Sequence, residues 1–120
     1  CLSLLVATLG TEFALDAPGS LLLWEDTNEP LYRVDRMLTH LGLSGTLSRV
    51  QGMVMGSCPS PGADEVPAPP GVLASLEDHA RAVSGPVAWG LPMGHQAPNW
   101  TLPLGRPARL DSATRELVLR

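Results

Sequence analysis

Lysine is absent from this chain, and all eight basic residues are arginine. Against twelve Asp and Glu the formal charge is -4, which leaves no basic face of the kind a general nucleic-acid binder presents. Arginine keeps the planar guanidinium fork that grips carboxylates, so nothing is lost there by the missing lysines. Aromatic residues make up only 4% of the sequence, so aliphatic side chains must fill any core. Cys1 and Cys58 are the only cysteines. They are too few for a disulfide scaffold and lack a C-x-x-C metal spacing, and both are expected as reduced, partly buried thiols. The longest apolar runs, such as LSLLVATLG, are far too short to span a bilayer. No charged leader, apolar stretch and cleavage site stand in order at the start. The chain opens at Cys1, inside an apolar periodic segment and without an initiator Met, and is expected to be a piece of a longer polypeptide.

What is present fits one folded domain. The chain has 120 residues, 44% hydrophobic and 17% charged, enough to bury a continuous core. Leu2, Leu5, Val6 and Leu9 recur at helical spacing, and Gly10 stands where a helix would stop. After the turn residues Asp16 to Gly19, Ser20 to Trp24 is a continuous apolar run that ends abruptly at Glu25 and Asp26, the pattern of a buried strand. Pro30 is placed to be the first residue of a helix, with Asn28 or Glu29 near its cap. Leu31, Val34, Met37, Leu38 and Leu41 mark the apolar face of that helix, which should end between Gly42 and Gly45. Val50 to Met55 reads as a second buried strand, and the proline-dense segment from Pro59 to Gly71 as a loop. Val72 to Val83 has helical spacing, and Pro86 to Trp89 is a short strand. Trp100 to Leu104, Ala108 to Leu110 and Glu116 to Leu119 are expected to close the domain as a small β meander, the last two joined by a turn at Asp111 and Ser112. The order predicts an α/β domain with parallel and antiparallel pairing.

Four features could carry chemistry. Glu25 and Asp26 follow an apolar strand, where α/β folds place ligands, though strand-end carboxylates also serve as solvated or capping groups. His95 lies in the Gly/Pro-rich loop Gly90 to Asn99, between Gly94 and a Pro-Asn pair, and histidine is the usual general base near neutral pH. His40 and His79 fall in predicted helices and read as surface or cap residues. Arg33 and Arg36 could grip a substrate carboxylate, or could belong to a salt-bridged helix face. Asn99-Trp-Thr101 matches a glycosylation sequon, which is read as coincidence without a secretory signal. Together, Glu25 and His95 could be the acid and base of a serine hydrolase. None of the serines stands in the G-x-S-x-G setting that exposes a nucleophile, so the partner serine is expected outside this chain.

In order and spacing, several segments resemble the C-terminal domain of the LD-carboxypeptidase family, which includes muramoyltetrapeptide carboxypeptidases and microcin-immunity peptidases. They are Leu2 to Thr11, Leu22-Leu-Trp-Glu-Asp26, Glu29 to Leu38, Gly52-Met-Val-Met-Gly56, Pro92-Met-Gly-His-Gln-Ala-Pro-Asn99 and Leu102 to Leu110. The resemblance implies a swivelling β/β/α-type domain with a mixed sheet over residues 1–120, the C-terminal half of a two-domain enzyme. The nucleophile would lie in an N-terminal domain. It implies a Ser-Glu-His triad, with Glu25 as the acid, preferred over Asp26 because it directly follows the strand, and His95 as the base. The implied reaction is hydrolysis of an L–D amide in a cytoplasmic murein tetrapeptide, releasing terminal D-Ala in cell-wall recycling. No metal or organic cofactor is implied, and neither nucleic acid nor membrane is expected as a partner; association into a homodimer is left open. Two other readings stand beside it: a relative that cleaves peptide–nucleotide conjugates, and a free-standing, non-catalytic binding domain.

Overall fold

Three short apolar runs pair in parallel to form the central sheet: β1 (Leu21–Trp24), β2 (Gly52–Met55) and β3 (Val87–Trp89), in the order β1-β2-β3. The computed structural model describes residues 1–61 and 68–120. Leu22 lies opposite Met53, and Trp24 opposite Met55, which in turn faces Trp89. β2 is the middle strand and all of its residues are buried, which is why its run is apolar throughout rather than alternating. β1 alternates: Leu22 and Trp24 are buried and Leu21 and Leu23 less so, because successive side chains leave opposite faces of a strand.

The chain crosses from β1 to β2 through α2 (Leu31–Leu43) and the short α3 (Thr46–Arg49), and from β2 to β3 through α4 (Pro70–Ala80). With sequential strand order, two crossovers of one hand bring both helices to the same face of the sheet. There Val34, Leu38 and Leu41 of α2 and Val72 and Leu76 of α4 form one core with Leu22, Trp24, Met53 and Met55. Leu2 of α1 (Leu2–Ala7) joins them and is fully buried. Burying each such side chain contributes about 1.5–3 kcal/mol. The core is aliphatic as composition requires, apart from Trp24, whose Nε1 has no hydrogen-bond partner among the described residues.

Antiparallel pairing is confined to a hairpin, β4 (Ala108–Asp111) and β5 (Glu116–Leu119), a two-stranded sheet of its own. Its Leu110 and Leu117 line a cleft with Leu21 and Leu23 of β1. The expected turn at Asp111 is present: its Oδ1 accepts the N–H groups of Ala113 and Thr114 at 3.0 and 3.2 Å. These bonds from Thr114 and Ala113 hold the carboxyl below the usual carboxylate range.

Four expectations need correction. Trp100 to Leu104 forms no strand; Trp100 N–H instead donates to the Pro92 carbonyl at 2.8 Å, and Pro103 brings no N–H for a ladder. Pro30 is the cap and not the first helical residue, its backbone extended at ψ 150°. Leu31, expected on the buried face, is 45% exposed and rests against Gly71 of α4. Helix α4 begins at Pro70, inside the segment expected to be a loop, with Pro at its first position, where no N–H is needed. The middle of that proline-dense segment, 62–67, lies outside the described residues.

Helices α2 and α4 are also joined by polar contacts. Ser75 Oγ donates to Asp35 Oδ1 at 2.8 Å, and His79 Nε2 lies 3.3 Å from the same oxygen. The Ser75 hydroxyl first, and His79 second, hold the Asp35 carboxyl below its ordinary value. A depressed folded-state value stabilises the fold above the unfolded pKa and is lost as pH falls through the folded one. Asp35→Ala should therefore lower stability at about pH 6, with the gap from wild type closing below about pH 3. Urea unfolding at both pH values checks this, and an equal gap at both would reject it. At the end of β2, a Cβ on Gly56 would stand 2.5 Å from the Met93 carbonyl oxygen and 2.6 Å from Met93 Cγ. Gly56→Ala is expected to cost about 1–3 kcal/mol, read as a lower urea midpoint.

Candidate active site

Parallel strands end on the same edge of a sheet, and loops leaving that edge are where α/β folds collect reactive groups. Here β1 delivers Glu25 and Asp26, β2 delivers Gly56 and Ser57, and β3 leads into the loop that carries His95. The three strand ends are tied together by backbone bonds. Gly56 N–H donates to the Trp24 carbonyl at 2.8 Å, Asp26 N–H to that of Ser57 at 3.0 Å, and Gly90 N–H to that of Met55 at 3.0 Å.

The loop brings His95 back across the edge onto Glu25, 70 residues earlier in the chain. His95 Nδ1 lies 2.8 Å from Glu25 Oε2. An ionised carboxylate can only accept, so Nδ1 carries the hydrogen and a neutral imidazole keeps its lone pair on Nε2. The two side chains differ in setting: Glu25 is 15% exposed and His95 59%. The acid is sunk into the edge and the imidazole projects from it. Among the described residues no hydroxyl bonds to Nε2.

Glu25 is also held through its backbone: Leu2 N–H donates to the Glu25 carbonyl at 2.8 Å. The neighbouring carboxylate serves differently. Asp26 is 4% exposed; its Oδ2 accepts Ser3 N–H at 2.8 Å and its Oδ1 accepts Thr27 N–H at 2.9 Å. Both oxygens are thus committed to backbone, and Asp26 anchors the start of α1. Of the two strand-end acids, Glu25 is the one that meets a histidine.

The remaining candidates do not join this pair. Arg33 Nε, in the first turn of α2, lies 2.9 Å from Oε2 of Glu29 just before the helix, an ion pair without hydrogen-bond alignment. The Arg36 guanidinium sits 6.0 Å over the Tyr32 ring. Both belong to the helix-face reading. His40 lies in the last turn of α2 and His79 bridges to Asp35. Cys58 is fully buried, and burial, then the charges of Asp26, Glu25 and Glu29, push its thiol up to about 12; such a group is no nucleophile at neutral pH. Ser57 is wholly buried, with its hydroxyl on the Met93 carbonyl at 3.3 Å. Among the described residues no group of three or more His, Cys, Asp or Glu could hold a metal ion.

Three neighbours of the pair had no role assigned from the sequence. Gly94, at φ +104°, leaves no room for a side chain: a Cβ would stand 2.7 Å from both Glu25 Oε2 and Ser57 Oγ. Asn99, noticed as part of a Pro-Asn pair and of a sequon, accepts the Gly94 N–H on Oδ1 at 3.1 Å. Ser57 lies beneath Gly94 and holds the Met93 carbonyl. The Gly-His and Pro-Asn pairs marked a shaped loop, but nothing in a linear pattern shows which amide closes it.

Known proteins resemble this chain over nearly its whole length. The family model for the LD-carboxypeptidase C-terminal domain matches residues 1–110. The chain is 33% identical over 120 residues to a Bacillus subtilis protein named probable murein peptide carboxypeptidase, covering 98% of the chain and 37% of that protein. The crystal structure of muramoyltetrapeptide carboxypeptidase from Oxalobacter formigenes superposes with a TM-score of 0.79 at 34% identity, over 98% of this chain and 40% of that one. The structure of MccF in complex with glutamyl sulfamoyl guanosine shares the fold, with a TM-score of 0.77 at 22% identity over 97% of this chain and 34% of that one. The chain thus spans little more than a third of the length of these relatives, and it belongs to the LD-carboxypeptidase family, whose C-terminal domain it matches.

Proposed function

We propose that Glu25 and His95 are the acid and general base of a Ser-Glu-His triad whose serine lies in a part of the protein outside this chain. The carrying observation is the 2.8 Å contact from His95 Nδ1 to a largely buried Glu25 carboxylate, with the imidazole projecting from the sheet edge. Family membership supports a serine-type murein peptide carboxypeptidase.

In this reading the substrate is a murein tetrapeptide, and the bond cleaved is the amide to its terminal D-Ala. As the serine oxygen attacks the carbonyl carbon, Nε2 of His95 takes its proton and becomes imidazolium. Glu25 holds the Nδ1–H tautomer and stabilises that charge. The imidazolium then protonates the leaving amine of D-Ala, and the acyl-enzyme is released by water activated at the same Nε2. Donors for the oxyanion would come from the domain that carries the serine. A cytoplasmic place in cell-wall recycling follows from the substrate, and the nucleophile domain is the first partner this chain requires.

In the whole protein, His95→Ala and Glu25→Ala should each lower kcat for D-Ala release about a thousandfold or more, with unchanged circular dichroism. Wild-type turnover in either variant would remove that residue from the triad. The purified 120-residue chain should release no D-Ala from a murein tetrapeptide; measurable release would mean that a serine within it serves as nucleophile.

A further inference from the structure

The loop that carries His95 is braced by a side chain for which the triad has no use. Its two ends are joined where Trp100 N–H donates to the Pro92 carbonyl at 2.8 Å. Inside that ring the residues before His95 are held from opposite sides. Met93 is held inward: its carbonyl accepts Ser57 N–H at 3.0 Å and the Ser57 hydroxyl at 3.3 Å. Gly94 is held by Asn99, whose Oδ1 accepts its N–H at 3.1 Å.

What makes this brace bear on the reaction is where Gly94 lies. A Cβ there would stand 2.7 Å from Glu25 Oε2 and 2.9 Å from Glu25 Cβ, so the glycine lies directly over the carboxylate. The next residue's imidazole reaches the same Oε2 with its Nδ1 at 2.8 Å. Rotation of the Met93–Gly94 peptide would carry the His95 backbone with it and change the distance and angle at that bond. The Met93 carbonyl and the Gly94 N–H belong to one peptide, so Ser57 holds that peptide at its oxygen and Asn99 holds it at its nitrogen.

We infer that Asn99 is a positioning residue: by accepting the Gly94 N–H it sets the approach of His95 Nδ1 to Glu25 Oε2. The inference rests on the reading of Glu25 and His95 as acid and base. Asn99 is exposed, so water can take over its bond when it is removed, and the fold should lose little. The orientation of the imidazole is what water cannot restore. A misplacement of about 1 Å is enough to cost on the order of a hundredfold in rate.

The test uses the whole protein with Asn99→Ala and Asn99→Asp, beside His95→Ala. Asn99→Ala should lower kcat for D-Ala release about ten- to a hundredfold, with KM within about twofold and an unchanged Tm. Asn99→Asp keeps an acceptor oxygen at the same reach and should recover turnover to within a few-fold of wild type. Nitrogen-15 NMR should show the hydrogen-bonded Nδ1–H of His95 in wild type and Asn99→Asp, and its loss or upfield movement in Asn99→Ala. Unchanged kcat in Asn99→Ala, failure of Asn99→Asp to recover, or an Nδ1–H signal that Asn99→Ala does not move would each overturn the assignment. Full turnover in His95→Ala would instead sink the acid–base reading, while the NMR arm would still decide whether Asn99 orients the ring. Should Asn99→Ala fail to fold, Asn99→Ser carries the same expectations, its hydroxyl one bond short of the Gly94 N–H.

Discussion

Most of the candidate site's geometry depends on one contact, the 2.8 Å approach of His95 Nδ1 to Glu25 Oε2. The residue that supplies the carboxylate is itself tied down, because its backbone carbonyl accepts Leu2 N–H at 2.8 Å. That placement matters because the tautomer and direction of an imidazole are set by the bond that its other nitrogen makes. The segment that starts α1 is therefore part of the same unit, although it carries no reactive group. Leu2 both donates to the Glu25 carbonyl and is fully buried in the core, so packing of the first helix and placement of the acid are one event.

The parallel sheet supplies the frame for that contact. Each strand contributes only three or four residues, so a slip of one residue would turn Glu25 to the other face and bring Asp26 to its place. Register is held by burial: Leu22 and Trp24 must point to the helices beside Met53 and Met55. Close approach completes it. The chain after β3 passes so near the end of β2 that Gly56 and Gly94 have no space for a Cβ. Loop and strand end touch backbone to backbone, and this lets a loop hold a histidine with the precision of a regular element.

Much of this was legible in the chain itself. The LLLW run, its abrupt end in Glu25 and Asp26, and the 3.6-residue pattern from Val34 to Leu41 are large hydrophobic signals that tertiary contacts reinforce. The hairpin turn at Asp111 was legible because Asp bonds its own following backbone. Trp100 to Leu104 misled because apolar content alone does not provide a strand partner, and its first N–H was taken by Pro92. Leu31 misled because helix periodicity marks a face but not how far the neighbouring helix extends over it. The brace from Asn99 was illegible for another reason. Asn suits turns, caps and sequons alike, and only the distance to Gly94 selects one of these uses.

Glu25 and Asp26 show how far such a reading reaches. By composition and position they are equivalent: adjacent carboxylates at the end of one apolar strand. What separates them is the supply of donors. Asp26, the shorter side chain, lies within reach of Ser3 and Thr27 N–H and satisfies both its oxygens there. At 4% exposure it would otherwise be a buried charge without compensation, which is costly. Glu25 has one more methylene and extends past the helix start to the loop, where one of its oxygens is left for the imidazole. The contact with His95 falls to Glu25 and not to Asp26 because of reach. Exchanging the two acids would leave an acid too short for the loop and a longer one crowding the start of α1, so the order Glu-Asp is itself part of the site.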